Sequence, residues 1–431
     1  MQSIIAIGTL LLGIAIILAG NGLLGTLLGV RGELEAFASG TLGLVMSGYF
    51  AGFVIGTFFI PNMIRRVGHI RMFASLASIA SVITLMHGLF VHPLPWFGLR
   101  LLAGICIVGI YIVMESWLNE QTPNDQRGHV FSAYMTITLV GLGIGQLLLL
   151  AGDPQGLYLF AIAAILFSIG LVPVALTRVT EPRVAESQRL GLRALYRVSP
   201  LGVVACVFSG IGSGAFWGLG PVFVSSVGLG SGGIASFMAL SILAGMLVMW
   251  PVGRLSDRYE RRRVLTWICF LTALAAVAAF LLLRIQTEWI LLGGFLWGAF
   301  SFSIYALAAA HTNDHVEPSQ MLEVSSSLQL LWGSGAIAGP IIAGYLMQFL
   351  GPETFMPFLA AAALAPGLFA RYRMTVSEPV PEADQGDWVP QFATSPMALE
   401  MLPDAHEGDE IDGTDSQVPG EPAEKAPEPP R

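Results

Sequence analysis

The ionisable residues Arg100, Glu115 and His311 lie within or at the ends of strongly apolar stretches. Ionisable groups are costly to place inside a membrane and mark candidate functional sites. On a helix, Arg100, Tyr111 and Glu115 would fall within about 60° of one another, whereas Arg100 and Glu115 would lie roughly 22 Å apart along the axis and could not pair. Such a face could bind an anion at the guanidinium and exchange protons at the carboxylate.

Each of these groups has two interpretations. Glu115 either couples a proton gradient to transport or pairs with Arg127 or Arg65 at the end of its helix. Pairing is favoured, because a carboxylate near the lipid headgroups suffers little desolvation. For Arg100, extension to the outer interface or a structural role is favoured over binding an anionic solute. For His311, solvation at the interface is favoured over a proton relay.

Neutral polar and aromatic residues inside the apolar stretches are candidates for contact with a bound solute. They are Asn21, Tyr111, Gln146, Trp217, Tyr305 and Gln329. The alternative for each is a hydrogen bond between helices, which also favours Asn and Gln in membranes. The three cysteines, Cys106, Cys206 and Cys269, lie in apolar runs without metal-ligand spacing, so we expect no metal site or cofactor. Without a catalytic or nucleotide-binding constellation, we do not expect an enzyme.

The elements that must position these residues are membrane-spanning helices. The chain has 431 residues, of which 54% are hydrophobic and 12% charged, against about 25% charged in soluble domains. A spanning helix needs about 20 apolar residues. Twelve segments qualify: 4–29, 40–60, 72–91, 96–117, 130–151, 157–177, 199–226, 232–252, 264–283, 289–311, 323–349 and 354–372. The sequence therefore predicts an all-α integral membrane protein.

The charges predict its orientation. Residues 378–431 contain 14 acidic and two basic residues, which leaves 19 arginines and 15 acids in the body. Sixteen of those arginines fall in loops on the side of both termini, which the positive-inside rule places in the cytoplasm. We therefore expect a bacterial inner-membrane protein. The basic residues lie in short loops between spans, so nucleic-acid binding has no support.

The spans divide into two similar halves. The polar connection near 178–198 separates an N-terminal bundle, 1–177, from a C-terminal bundle, 199–374. Matches such as Trp96 with Trp289 share an offset of 192 to 194 residues. Two six-helix bundles related by a pseudo-twofold axis enclose a cavity that a secondary transporter opens to each side in turn. Glycine-rich stretches, 141–145, 210–220 and 333–344, allow helices to approach closely.

The polar composition of 375–431 predicts a disordered acidic tail. Within the tail, six apolar residues could form a transient docking segment: Trp388, Val389, Phe392, Met397, Leu399 and Leu402.

The stretch 253–265 (GRLSDRYERRRVL) resembles the signature loop of the major facilitator superfamily, apart from Glu260, where that family usually has glycine. Residues 20–375 more narrowly resemble its uncharacterised YcaD-like group. That resemblance rests on Glu115-Ser116, Arg127-Gly128, Ala133-Tyr134-Met135, Gly145-Gln146, Trp250-Pro251 and Gly339-Pro340. It implies secondary transport without ATP, and a cavity lined by the first, fourth, seventh and tenth spans.

The resemblance also implies a gate at the signature loop, formed by Gly253, Asp257, Arg258 and Arg261. The family's aspartate contacts the start of a helix in the other half, whose unpaired N–H groups carry partial positive charge. By symmetry that helix begins beside Arg127. We expect Asp257 and Arg127 to close the cytoplasmic side in the outward-open state.

In the first half, Arg65 takes the place of the aspartate. A charge-swapped latch would pair Arg65 or Arg66 with Glu317 or Glu323 at the start of the eleventh span. The alternative is that these arginines only set the topology of the chain.

The leading hypothesis is a monomeric secondary transporter of a small organic solute by alternating access, with proton-coupled efflux as one form of it. The few deep charges argue against a highly charged substrate. The alternative is a non-transporting receptor or assembly factor on the same fold, whose acidic tail recruits partners. A channel is disfavoured, because nothing resembles a ring of filter residues.

Overall fold

A computed structural model of the chain describes residues 2–123, 126–176, 190–317 and 320–376, and beyond these 378, 380–381, 385–386, 388 and 391–395. Within these ranges the chain forms fourteen α-helices. They are α1 (Gln2–Leu34), α2 (Ser39–Val67), α3 (His69–Leu89), α4 (Pro93–Gln121), α5 (Arg127–Leu147), α6 (Tyr158–Leu176), α7 (Leu192–Val198), α8 (Pro200–Ser226), α9 (Ser231–Arg258), α10 (Arg261–Leu283), α11 (Ile290–Ser301), α12 (Ser303–Asn313), α13 (Met321–Leu350) and α14 (Phe355–Val376).

Twelve spans in the described part of the chain are long and apolar enough to cross a membrane, which confirms the prediction. Several helices extend past the apolar segment, because the polar ends of a helix continue into the interfacial layer. Helix α2, for example, continues to Val67 and carries Arg65 and Arg66 in its last turn. The tenth span consists of two helices, α11 and α12, which meet at Phe302.

The helices form two bundles with the same internal packing. In the first bundle α1 packs on α5 and α6, α2 on α4, and α3 on α4 and α6. In the second, α8 packs on α13 and α14, α9 on α11, and α10 on α11 and α14. The contacts between bundles repeat the same symmetry, since α2 packs on α13 and α5 on α9. The predicted pseudo-twofold arrangement is confirmed.

Alternate helices run in opposite directions, which defines two membrane faces. We call the face at which α2, α9 and α14 end the terminal face, and the face at which α1, α8 and α13 end the distal face. The terminal face carries the loops that the sequence analysis assigns to the cytoplasm.

The two bundles are in contact at the distal face. The backbone nitrogen of Gly40 donates to Gln348 Oε1 at 3.2 Å, and Ser226 Oγ donates to Glu33 Oε1 at 2.9 Å. A Cβ on Gly43 would lie only 2.2 Å from the carbonyl oxygen of Pro340. Because two backbones meet there without side chains between them, the space between the bundles is closed on this side.

The connection between the bundles is described only from residue 190 onward. It contains the short helix α7. Leu195 is buried, whereas Leu192 and Tyr196 are exposed, and Ser327 Oγ of α13 donates to the carbonyl oxygen of Leu190 at 3.0 Å. The connection therefore packs on the second bundle.

Candidate transport cavity

A cavity of about 140 Å³ lies between the two bundles. Its wall combines residues of α1, α2, α4 and α5 with residues of α8, α11, α12 and α13. Nine aromatic residues contribute to it: Tyr49, Phe50, Phe53, Tyr111, Trp217, Phe302, Tyr305, Trp332 and Phe392. A largely aromatic wall with a few polar groups is typical of a small-molecule site.

Five of the six residues predicted to contact a solute line this cavity: Asn21, Tyr111, Gln146, Trp217 and Tyr305. The sixth, Gln329, is buried on α13 outside the lining. Neither polar atom of its amide has a hydrogen-bond partner among the described residues.

The amide of Gln146 joins helices. Its Oε1 accepts a hydrogen bond from Thr26 Oγ1 of α1, and its Nε2 donates to the carbonyl oxygen of Gly22 at 3.3 Å. Gln146 therefore borders the cavity while its polar atoms join α5 to α1, and its contact with a solute stays a prediction. Asn21 is held more weakly, because its Nδ2 donates to Tyr49 OH at a distance of 3.5 Å.

Arg100 lies inside the molecule. Its side chain lines the cavity, and only 4% of the residue is exposed. The guanidinium carbon lies 4.5 Å from the centre of the Tyr49 ring, and Nε has no hydrogen-bond partner among the described residues. The expectation that Arg100 extends to the outer interface is therefore wrong. The α2–α4 packing turns it toward Tyr49, where the ring face attracts the cation.

Glu115 is fully buried on α4. One carboxylate oxygen accepts a hydrogen bond from Tyr134 OH of α5 at 2.8 Å, and the other accepts one from Ser395 Oγ. The expectation of a carboxylate near the lipid headgroups is therefore wrong, because α5 and the segment that contains Ser395 enclose Glu115. Its pairing with Arg127 or Arg65 stays a prediction.

The signature loop forms a charged cluster at the terminal face. Arg261 is buried and reaches Asp314 at 2.6 Å, while its distance to Asp257 is 3.6 Å. Burial raises the pKa of Asp314 above its ordinary value, and the Arg261 guanidinium opposes that shift. Glu260, at the usual glycine position, pairs with Arg262 at 2.7 Å. This acid therefore neutralises a buried arginine of the same loop.

The remaining gate candidates occupy the rim of the terminal face. Arg65, Arg66, Arg258 and Glu317 are exposed and Glu323 is half-buried. Arg65 donates to Asn62 Oδ1 at 2.6 Å. Two latches were predicted, one between Asp257 and the start of α5 and one between Arg65 or Arg66 and Glu317 or Glu323. Both would form in a conformation whose terminal face is closed, so both stay predictions.

His311 lies at the terminal end of α12. Solvation at the interface is the favoured prediction for this residue, but only 5% of it is exposed. Its ring packs against that of His315 with 4.7 Å between centroids, and His315 Nδ1 lies 2.8 Å from the His311 carbonyl oxygen.

Part of the tail, predicted to be disordered from residue 375, lies against the membrane body. Helix α14 continues to Val376, and Trp388 and Phe392, two of the predicted docking residues, contact the body. The other four, Val389, Met397, Leu399 and Leu402, lie outside the described residues. Three residues of the stretch 391–395 line the cavity, which the sequence did not predict: Phe392, Ala393 and Thr394.

The sequence model of the Major Facilitator Superfamily matches residues 10–316, and the chain belongs to this family of membrane transporters. It is 29% identical over 343 residues to the uncharacterized MFS-type transporter YcaD of Salmonella arizonae, covering 79% of this chain and 88% of the relative. To the YcaD protein of Salmonella newport it is 30% identical over 311 residues, covering 71% and 80%.

Solved structures show the same fold at low sequence identity. The nucleoside transporter NupG superposes with a TM-score of 0.69 at 14% identity, covering 86% of this chain and 99% of NupG. A bacterial homologue of the human lysosomal transporter Spinster, in an inward-facing and unoccupied conformation, gives a TM-score of 0.66 at 15% identity, covering 94% and 95%.

Proposed function

We propose that this protein is a secondary transporter that moves a small organic anion through the central cavity by alternating access. The observation that carries the proposal is a cavity lined by both pseudo-symmetric bundles, whose distal side is closed by contact between α2 and α13. Two similar bundles that rock about such a site can expose it to either face. The moving units are the predicted domains 1–177 and 199–374, in a monomer.

The substrate class follows from the charge of the wall. Among the described residues that line the cavity, Arg100 is the one charged side chain. A buried guanidinium without a carboxylate partner is energetically costly. A solute that carries one negative charge would supply the missing partner, and the aromatic wall would cover its apolar part. This combination favours a singly charged, partly apolar organic anion.

Proton coupling is assigned to Glu115, a fully buried carboxylate on the same helix as Arg100. We place the terminal face in the cytoplasm of a bacterial inner membrane, following the distribution of arginines. The inside-negative potential then drives protons inward and anions outward, by about 2.3 kcal/mol per charge per 100 mV. Exchange of one entering proton for one leaving anion moves two charges in the direction that the potential favours. This exchange therefore favours export of the anion.

Closure of the terminal face requires the two latches predicted from the signature loops. Asp257 would contact the start of α5 beside Arg127, and Arg65 or Arg66 would pair with Glu317 or Glu323. Replacing Glu323 with Gln should favour the conformation that is open at the terminal face. An unchanged inward/outward balance in a cysteine-accessibility assay would rule out the charge-swapped latch.

The decisive experiment begins with untargeted metabolite profiling of strains that lack or overproduce the protein. The leading anion is then tested in proteoliposomes, with and without a pH gradient. We expect gradient-dependent flux that is absent from protein-free vesicles. A receptor or assembly factor on this fold, the alternative function, would carry no flux of any compound that profiling identifies.

A further inference from the structure

We propose that the described residues 385–386, 388 and 391–395 form an intramolecular plug, which docks in the solute pathway from the terminal face and blocks transport until it is displaced. Its docking is independent of what the protein carries, whereas its inhibitory effect rests on the proposed transport function. Three sets of contacts, at the rim, along the pathway and at Glu115, carry the proposal.

The rim contacts hold the plug on the signature loop. The indole of Trp388 packs on Gly253 so closely that a Cβ there would lie 2.0 Å from Trp388 Cε3. The backbone nitrogen of Trp388 donates to Asp257 Oδ1 at 3.0 Å. The loop therefore presents a flat surface beside a carboxylate, which an aromatic residue with a free backbone N–H can fill.

A second pair of charged residues holds the backbone of Gly386. Arg261 Nη2 donates to the Gly386 carbonyl oxygen at 2.7 Å, and the Gly386 nitrogen donates to Asp314 Oδ1 at 3.3 Å. These two side chains pair with each other at 2.6 Å. Because hydrogen bonds to charged groups are stronger than neutral ones, this ion pair is a specific receptor for an extended segment.

The inner end of the plug occupies the pathway. The Phe392 ring lies 6.2 Å from that of Phe302, with the edge-to-face geometry that aromatic pairs prefer. Ala393 and Thr394 form part of the cavity wall, and Ser395 Oγ donates to Glu115. A solute that entered from the terminal face would have to displace these residues, and proton exchange at Glu115 would meet the same obstacle.

The plug also restrains the conformational change, because it bridges the two bundles. Glu115 belongs to the first bundle, whereas Asp257, Arg261 and Phe302 belong to the second. The terminal face must close for the pathway to open at the distal face. A segment between the bundles prevents this closure, and it engages Asp257, the residue predicted for the latch.

The charge of the tail favours docking at this face. Residues 378–431 hold 14 acidic and two basic residues, whereas the body has a net charge of +4 from 19 arginines and 15 acids. Opposite charges raise the local concentration of the tail near the arginine-rich loops. Such attraction weakens when salt shortens the Debye length to about 3 Å at 1 M.

Docking can be measured without a substrate through a cysteine in the cavity. Ser213 lines the cavity on α8, so Ser213→Cys would be introduced after Cys106, Cys206 and Cys269 are replaced by Ala. A membrane-impermeant maleimide is added to proteoliposomes from the side that exposes the terminal face. A chain that ends at Val376 should be labelled about tenfold faster than the full chain, which corresponds to about 1.4 kcal/mol of docking free energy.

Two double variants of the full chain provide the matched comparison. Trp388→Ala with Phe392→Ala removes both aromatic anchors and should accelerate labelling, whereas Ile411→Ala with Val418→Ala removes apolar tail residues elsewhere and should leave it unchanged. A synthetic peptide of residues 381–400 should slow labelling of the shortened chain. Equal labelling of the full and shortened chains would overturn the plug.

Flux separates this inference from the proposed function. With the anion identified above, the shortened chain should transport faster than the full chain. Tail-dependent labelling with equal flux would overturn inhibition. Tail-dependent labelling without flux of any identified compound in either chain would instead contradict the transport proposal and leave docking intact.

Discussion

Arg100 of α4 lies with its guanidinium carbon 4.5 Å from the ring centre of Tyr49 on α2, inside the cavity between the bundles. The two helices meet there without side chains between them, since a Cβ on Gly104 would lie 1.9 Å from the Tyr49 carbonyl oxygen. A Cβ on Gly52 would lie 1.8 Å from the carbonyl oxygen of Leu101. This close packing sets the position of both side chains, so the binding site depends on the glycines behind it.

Replacing Arg100 with Gln should greatly reduce transport of the anion. A hydrogen bond to a charged group contributes about 1.5–3 kcal/mol, so we expect roughly a 10- to 100-fold loss of affinity in proteoliposome uptake or direct binding. Arg100→Lys keeps the charge and should lose less. The control is Arg284→Gln, which removes an exposed arginine that pairs with Glu353. Wild-type affinity in Arg100→Gln would show that the guanidinium does not bind the solute.

Replacing Gly104 with Ala should destabilise the fold. The new methyl group would meet backbone atoms that cannot move without separating α2 from α4, and overpacking of this kind costs about 1–3 kcal/mol. Gly98 of the same helix has no heavy atom within 4 Å of the position of a Cβ. Gly98→Ala should therefore be neutral or slightly stabilising. Thermal unfolding of the two purified variants checks this, and equal midpoints would contradict the packing argument.

Replacing Gly43 with Ala should open the distal face. The added Cβ would lie 2.2 Å from the Pro340 carbonyl oxygen, so α2 and α13 would have to separate. With Ser213→Cys as the reporter, we expect faster labelling from the distal side. Gly232→Ala is the matched control, because no heavy atom lies within 4 Å of a Cβ at that position near the same face. An unchanged rate for Gly43→Ala would mean that this contact does not control access.

Much of this architecture follows from local sequence properties. Apolar run length predicts all twelve spans, because the bilayer imposes one length on every helix. The glycine-rich stretches also allow helices to approach closely, as the sequence predicts. A Cβ on Gly210 would lie 2.0 Å from the carbonyl oxygen of Trp332, and one on Gly339 would lie 2.1 Å from that of Ile211.

What the sequence did not reveal depends on contacts between distant segments. Tyr49 lies on α2, a span in which no residue was predicted to contact a solute. It reaches the cavity because α2 packs on both α4 and α13. The position of Arg100 near a helix end suggested the interface, yet the helix face it occupies points inward. The average composition of the tail indicated disorder, whereas Trp388 contacts Gly253 and Phe392 contacts Phe302, both of which lie far away in the sequence.

Replacing Glu115 with Gln should separate proton coupling from solute movement. The amide can still hydrogen-bond to Tyr134, but it cannot exchange a proton. Solute exchange without a gradient should therefore continue, while flux driven by a pH gradient should be lost. The measurement compares the two assays in proteoliposomes with the chain that ends at Val376, so that Ser395 does not contribute. Glu120→Gln, an exposed carboxylate of the same helix, should leave both assays unchanged. If Glu115→Gln retained pH-driven flux, the carboxylate would instead serve to hold α4 and α5 together.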